Sequence, residues 1–257
     1  ALSEAEVAAA DTRPDDGLVL WLDAADARET RPGGDGFYFA FGGDDAFIVC
    51  DDADLEQAVH ASLAGCYINC GQNCVASERI LVYDAIYDAF EKRAAELVRE
   101  FRQGNSREEI VDLGAIVTPP QLEIIERAVA GAVLQGARLV TGGKRTLTER
   151  GDYYEPTILA DVTPEMDIAR NEVFGPVMLL MRVHDDANAV DIANGVSYGL
   201  SSSVFSKNRA RARAIAAELE AGMSAINEFG GITYMVQGLT FGGVKALTDI
   251  SFNVREH

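Results

Sequence analysis

The chain is 257 residues long, 48% hydrophobic and 25% charged, which suits a soluble globular protein with room for a proper core. Its formal net charge of −19 argues against nucleic acid or an anionic membrane as a partner, because phosphate binding needs Lys and Arg. No apolar run approaches the roughly 18 residues of a membrane helix, so no membrane span is expected.

The opening, ALSEAEVAAADTRPDD, is acidic and lacks the basic-then-apolar layout of a signal peptide; an intracellular location is expected, with the compartment unknown. Residues 1–39 follow no regular pattern. They hold a candidate helix at Ser3–Ala10, an apolar stretch at Leu18–Leu22 and the turn-like RPGGDG at 31–36, and read as a remnant or linker. Regular alternation begins after residue 40. Asp45–Val49 (DAFIV) is an apolar run of strand type, and Asp54 opens a helical pattern in which Leu55, Val59 and Leu63 share a face. Glu78–Val82 reads as the next strand. Ala85–Phe101 is an amphipathic helix with Ile86, Phe90, Ala94 and Leu97 on its apolar side, ending by Gly104. Pro120–Leu134 is a further helix stopped by Gly136, and Arg138–Thr141 is a strand before the turn Gly142-Gly143. Val177–Val183 is an apolar strand, Ala187–Asn194 and Ala210–Leu219 are helices, and Ser224–Asn227 is a strand entering a Gly-rich loop. This alternation implies an α/β fold: a mostly parallel sheet flanked by helices on both faces.

The four cysteines are Cys50, Cys66, Cys70 and Cys74. The last three recur every four residues and on one continuous helix would share a face. That spacing is not a zinc pattern, and His60, His184 and His257 are too scattered to complete a set, so no metal site is expected. Disulfides are disfavoured by the same geometry, which leaves Cys50, Cys66 and Cys70 as small buried thiols.

Cys74 differs because of its neighbours. It lies in Asn69-Cys70-Gly71-Gln72-Asn73-Cys74-Val75-Ala76-Ser77-Glu78-Arg79, and other motifs follow in order. These are Tyr154-Glu155-Pro156-Thr157-Ile158-Leu159 with Asp161-Val162, and Asn171-Glu172-Val173-Phe174-Gly175-Pro176-Val177. Ala193-Asn194 with Tyr198-Gly199-Leu200, and Phe241-Gly242-Gly243-Val244-Lys245, complete the series. The ordered set resembles the aldehyde dehydrogenase family, with N-x-G-Q-x-C-x-A-x-x-R as its active-site signature. The resemblance implies an aldehyde dehydrogenase-like catalytic domain over residues 40–246 and Cys74 as the catalytic nucleophile. It further implies that Glu172 holds the nicotinamide-side ribose and that Phe174 packs near the nicotinamide ring, with NAD or NADP as cofactor. Taken alone, Glu172 would read as a surface carboxylate and Phe174 as a core aromatic. The implied reaction is the oxidation of a small-molecule aldehyde to a carboxylic acid through a cysteine thiohemiacetal and a thioacyl intermediate.

The chemistry asks for the same residue types. An aldehyde must first form a tetrahedral adduct before it can lose hydride, and a thiolate suits because the resulting thioester is still hydrolysable. Gly71 would allow a sharp backbone turn, and the N–H of Cys74 is a candidate oxyanion donor. A thiol hydrolase is disfavoured, since no histidine sits in a recognisable partner motif.

The chain also departs from the family. Where the family has Glu-Leu-Gly-Gly, with the Glu activating the deacylating water, this chain has Ala40-Phe41-Gly42-Gly43. Alanine cannot act as a base. Most of the family's cofactor domain is absent, and after Ala246 the expected S-G-x-G gives way to LTDISFNVREH at 247–257. That tail suits the family's C-terminal oligomerisation strand, and the β-like Ile250–Val254 points to a homo-oligomer. Three arrangements stay open: ordered pieces of a longer enzyme with gaps before Gly42 and after Ala246, a truncated product, or a paralogue that has lost cofactor binding. The last gives the alternative function, a catalytically inactive structural subunit of a larger protein assembly.

Overall fold

The computed structural model describes residues 45–148, 151–230 and 243–245. Strand β1 (Ala46–Val49) and strand β2 (Arg79–Tyr83) are buried along their whole lengths, as strands covered on both faces must be. Helix α1 (Leu55–Tyr67) joins them. It starts where the Asp54 carboxylate accepts from the Gln57 N–H at 3.1 Å, and it buries Ala58, Val59, Leu63 and Cys66 against the sheet. Helix α2 (Asp84–Val98) ends three residues before the expected Phe101 and turns Tyr87, Phe90, Ala94 and Val98 inward, while Ile86 and Leu97 are only partly buried. Helix α3 (Pro119–Leu134) is capped by the Thr118 hydroxyl, and Gly136, with φ of 110°, lets the chain leave it.

The rest of the framework follows in order: β3 (Arg138–Thr141), β4 (Arg145–Thr148), β5 (Gly151–Tyr154), β6 (Thr157–Ala160) and β7 (Val177–Val183). Helix α4 (Asp186–Asn194), β8 (Ser201–Phe205), α5 (Arg209–Glu218) and β9 (Met223–Ile226) complete it. Seven strands form one sheet in the order β3-β6-β7-β2-β1-β8-β9, and only the β3–β6 pairing is antiparallel; β4 and β5 form a separate hairpin. The mostly parallel, helix-flanked α/β sheet expected from the sequence is therefore present. The hairpin, β6 and β8 are the elements the apolar pattern did not reveal. In β8 the serines of SSSVF are buried and internally bonded: Ser201 to Asp45, Ser202 Oγ to Ser224 Oγ at 2.7 Å, and Ser203 Oγ accepting from Gly230 N–H at 2.7 Å.

The cysteine spacing does not lie on one helix. Helix α1 stops at Tyr67, and Asn69, Cys70 and Gly71 take left-handed φ of 53°, 59° and 68° in a short 3-10 turn, which rotates Cys70 and Cys74 off the helix face. All four cysteines are free; Cys50, Cys66 and Cys70 are buried, as expected, and Cys74 is partly exposed. Among the described residues no helix is long and apolar enough to cross a membrane. The expectations for residues 1–39, for Ala40–Gly43 and for the tail at 247–257 lie outside the described residues.

Candidate active site

Cys74, Glu172 and Phe174, the residues singled out by motif, lie at the N-terminal edge of the parallel strands, together with Asp45, Glu78 and Ser201. Asp45 precedes β1, Cys74 and Glu78 precede β2, Glu172 and Phe174 precede β7, and Ser201 opens β8. Open α/β sheets usually bind ligands outside the carboxyl ends of their strands. Here the opposite edge carries the motif loops.

The loop bearing Cys74 is built from within. Gly71 combines a φ of +68° with a close approach to the 175 peptide, so no side chain fits there. The Gln72 side chain reaches across to the loop before α3: its Oε1 accepts from Val117 N–H at 2.7 Å and its Nε2 donates to the carbonyl of Ala115 at 3.3 Å. The Cys70 thiol donates to the Gly114 carbonyl at 3.3 Å, a second tie to the same segment. Asn73 Oδ1 accepts from Val75 N–H at 3.2 Å and lies 3.7 Å from Cys74 Sγ. The Cys74 side chain packs against Val75, Leu200 and Met223.

Burial pushes the Cys74 thiol above its ordinary value of 9.0, and the Asp45 and Glu172 carboxylates push in the same direction, while its own backbone N–H pulls it down. The thiol is therefore protonated at neutral pH, and a nucleophilic thiolate needs deprotonation by a base. Asp45 is buried and held by Ser201, whose backbone N–H donates to it at 2.8 Å and whose hydroxyl donates to its other oxygen.

The cofactor-type loop is held from two sides. Glu78, 1% exposed, accepts from Val173 N–H at 2.9 Å and Phe174 N–H at 2.8 Å. Gln121 Nε2 donates to the carbonyls of Val173 at 2.9 Å and Phe174 at 3.2 Å. Glu172 itself is 9% exposed, which makes it a buried carboxylate rather than a surface one, and Phe174 is half-buried with a left-handed φ of 50°. Thus Cys74, Glu172 and Phe174 share one edge. Asp45, Glu78 and Gln121 were not picked out in the sequence; a charge opening an otherwise apolar strand, as Glu78 does before RILVY, was the available signal.

Two later motifs also meet. Lys245 Nζ donates to the carbonyls of Asn194 at 2.7 Å and Val196 at 3.0 Å and pairs with Glu220 at 2.9 Å, while Val244 N–H donates to the Gly199 carbonyl at 3.0 Å. These bonds order the turn that presents Leu200 to Cys74.

At the carboxyl edge a cavity of ≈ 550 Å³ is lined by Asp51, Tyr83, His184, Asp186 and Arg211 among others. Its charges pair with one another: Arg211 bonds Asp51 and Asp186, each at 2.6 Å, the Tyr83 hydroxyl bonds Asp186, and His184 lies 2.5 Å from Asp84. This is a structural network joining α5 to β1, β2 and α4.

A sequence model described as the aldehyde dehydrogenase family matches residues 34–248 of this chain. A succinate semialdehyde dehydrogenase [NAD(P)+] from Escherichia coli is 40% identical over 204 residues, covering 79% of this chain and 43% of that protein. A succinate-semialdehyde dehydrogenase [NADP(+)] from Deinococcus radiodurans is 38% identical, with 79% and 42% covered. The crystal structure of a betaine aldehyde dehydrogenase from Staphylococcus aureus in complex with NAD+ superimposes with a TM-score of 0.75 at 34% identity, over 79% of this chain and 40% of that one. The chain thus spans less than half the length of the relatives it matches.

Proposed function

Because the chain belongs to the aldehyde dehydrogenase family, we propose that it carries the thiol-bearing part of an NAD(P)-dependent aldehyde oxidation, with Cys74 as nucleophile. The observation that supports this most is the joining of the Cys74 loop to the Glu172–Phe174 loop at one edge of the sheet, with Gly71 closed against Gly175. Residues 40–246 form the catalytic domain in this reading, and the tail at 247–257 supplies a strand for a homo-oligomer.

After its proton passes to a base or to solvent, Cys74 Sγ adds as the thiolate to the carbonyl carbon of the aldehyde, and the oxygen becomes an oxyanion that backbone N–H groups stabilise. Hydride leaves the same carbon, a thioester remains on Cys74, and water releases the acid and regenerates the thiol. NAD+ or NADP+, when bound, supplies the hydride acceptor. The residues present suit such a group: the Glu172 carboxylate is an acceptor for ribose hydroxyls, and the half-buried Phe174 offers an apolar aromatic face to a flat ring.

The test is reduced-nucleotide formation by the full-length protein with an aldehyde panel, beside iodoacetamide labelling. Turnover abolished by Cys74→Ser is the expected result; turnover unaffected by that change sinks the proposal. A second reading, a catalytically inactive structural subunit, is favoured by Ala40 at the position of the family's general base. Pre-steady-state kinetics separate the two. A burst of about one reduced nucleotide per chain followed by slow turnover fits acylation without an efficient base, whereas a structural subunit gives no burst.

A further inference from the structure

We infer that Glu78, with Gln121 opposite it, is the positioning residue for the Glu172–Phe174 loop and sets how tightly that loop holds the nicotinamide cofactor. The inference rests on the cofactor role proposed above for Glu172 and Phe174.

Phe174 has a φ of 50°, a conformation that a bulky aromatic adopts only where its surroundings over-determine it. The surroundings do so completely at Val173 and Phe174. The two N–H groups donate to the two oxygens of Glu78, at 2.9 and 2.8 Å, and the two carbonyls accept from Gln121 Nε2, at 2.9 and 3.2 Å. Every backbone polar group of the strained pair is engaged, acceptor on one side and donor on the other. Glu172 immediately precedes this clamp, so its direction follows from the clamp's geometry.

The choice of a carboxylate matters. Two adjacent N–H donors need two acceptor oxygens, which Glu offers and Gln does not. Glu78 also lies four residues beyond Cys74 on the nucleophile's own loop, so the same side chain ties the thiol loop to the cofactor loop. A carboxylate at 1% exposure is costly to bury, and its two charge-assisted bonds to the Val173 and Phe174 N–H groups offset part of that cost.

The experiment uses the full-length protein. NAD+ and NADP+ dissociation constants are read by fluorescence quenching, and iodoacetamide alkylation of Cys74 is followed in parallel without cofactor. In Glu78→Gln one N–H loses its acceptor and meets an amide donor, and cofactor affinity is expected to fall about tenfold while alkylation changes less than about twofold. Gln121→Ala, at a half-buried helix position, is expected to weaken the cofactor in the same sense. Unchanged affinity in a folded Glu78→Gln protein overturns the inference. If Glu78→Gln does not fold, Gln121→Ala decides, with weakened cofactor binding supporting the clamp and unchanged binding overturning it. Should Glu172→Gln weaken the cofactor while Glu78→Gln does not, only the role of Glu78 fails. A wild-type protein that binds neither nucleotide overturns the underlying cofactor reading and this inference together.

Discussion

The Cβ that Gly71 lacks would sit 2.1 Å from the carbonyl oxygen of Gly175, and at 2.6 Å from its carbon. Contact this close between backbones locks the Cys74 loop to the cofactor-type loop without any side chain. Gly71→Ala must therefore part the two loops, and it also forces alanine to a φ of +68°. A loss of about 3 kcal/mol or more in urea unfolding is expected, from strain and overpacking combined. Faster alkylation of a loosened Cys74 should accompany it. An unchanged unfolding midpoint would contradict the contact.

Gly131 is the counterexample within the same chain. It lies inside α3, and an added Cβ meets nothing within 4 Å. Gly131→Ala is expected to stabilise the protein by about 0.5–1 kcal/mol, because alanine restricts the unfolded chain and favours the helix. Urea denaturation of both variants side by side checks the sign of each.

The contrast between these glycines shows where reading the sequence succeeds and stops. Long apolar periodicities gave α1, α2, α3, β1, β2 and β7 within a few residues, since burial on a helix face or along a strand leaves a pattern in the chain itself. β8 escaped because its serines look like a loop until Asp45, Ser224 and Gly230 satisfy them, and those partners are distant in sequence. The site behaved similarly. Cys74, Glu172 and Phe174 were legible as members of ordered motifs, and the structure brings them to one edge. The clamp of Glu78 and Gln121 was not legible, because it depends on side chains bonding to a backbone 95 and 52 residues away.

Arg211 sets an acid-dependent part of stability. Its guanidinium bonds hold the Asp186 carboxyl below the ordinary value of 3.8, against the opposing effect of burial. A carboxyl depressed in the folded state contributes stability that is fully present above the unfolded value and is lost as pH falls through the lower folded value. Arg211→Met should therefore destabilise the protein at pH 7, and the gap to wild type should narrow below about pH 3.8 as Asp186 protonates. Urea midpoints across the acid range give the comparison; a gap that stays constant with pH would show that Arg211 acts through packing alone.

The state of the Cys74 thiol follows from the charges around it. Burial is the largest cause of its raised value and Asp45 the next, with Glu172 a smaller contributor. Only the thiolate alkylates, so the rate in the cofactor-free protein should climb about tenfold per pH unit through neutrality and reach no plateau before pH 9. Asp45→Asn is nearly isosteric, and its amide oxygen still accepts from the Ser201 N–H, so the loop should keep its shape while losing a buried negative charge. Alkylation at neutral pH should then rise a few-fold, about 2–5 times, by removal of a like-charge repulsion. Glu172→Gln should accelerate it less, in keeping with its smaller effect on the thiol. The other three thiols do not confuse the measurement, because Cys50 (raised to about 12), Cys66 and Cys70 are all buried and raised. If Asp45→Asn slows alkylation instead, Asp45 is acting as the base that takes the Cys74 proton.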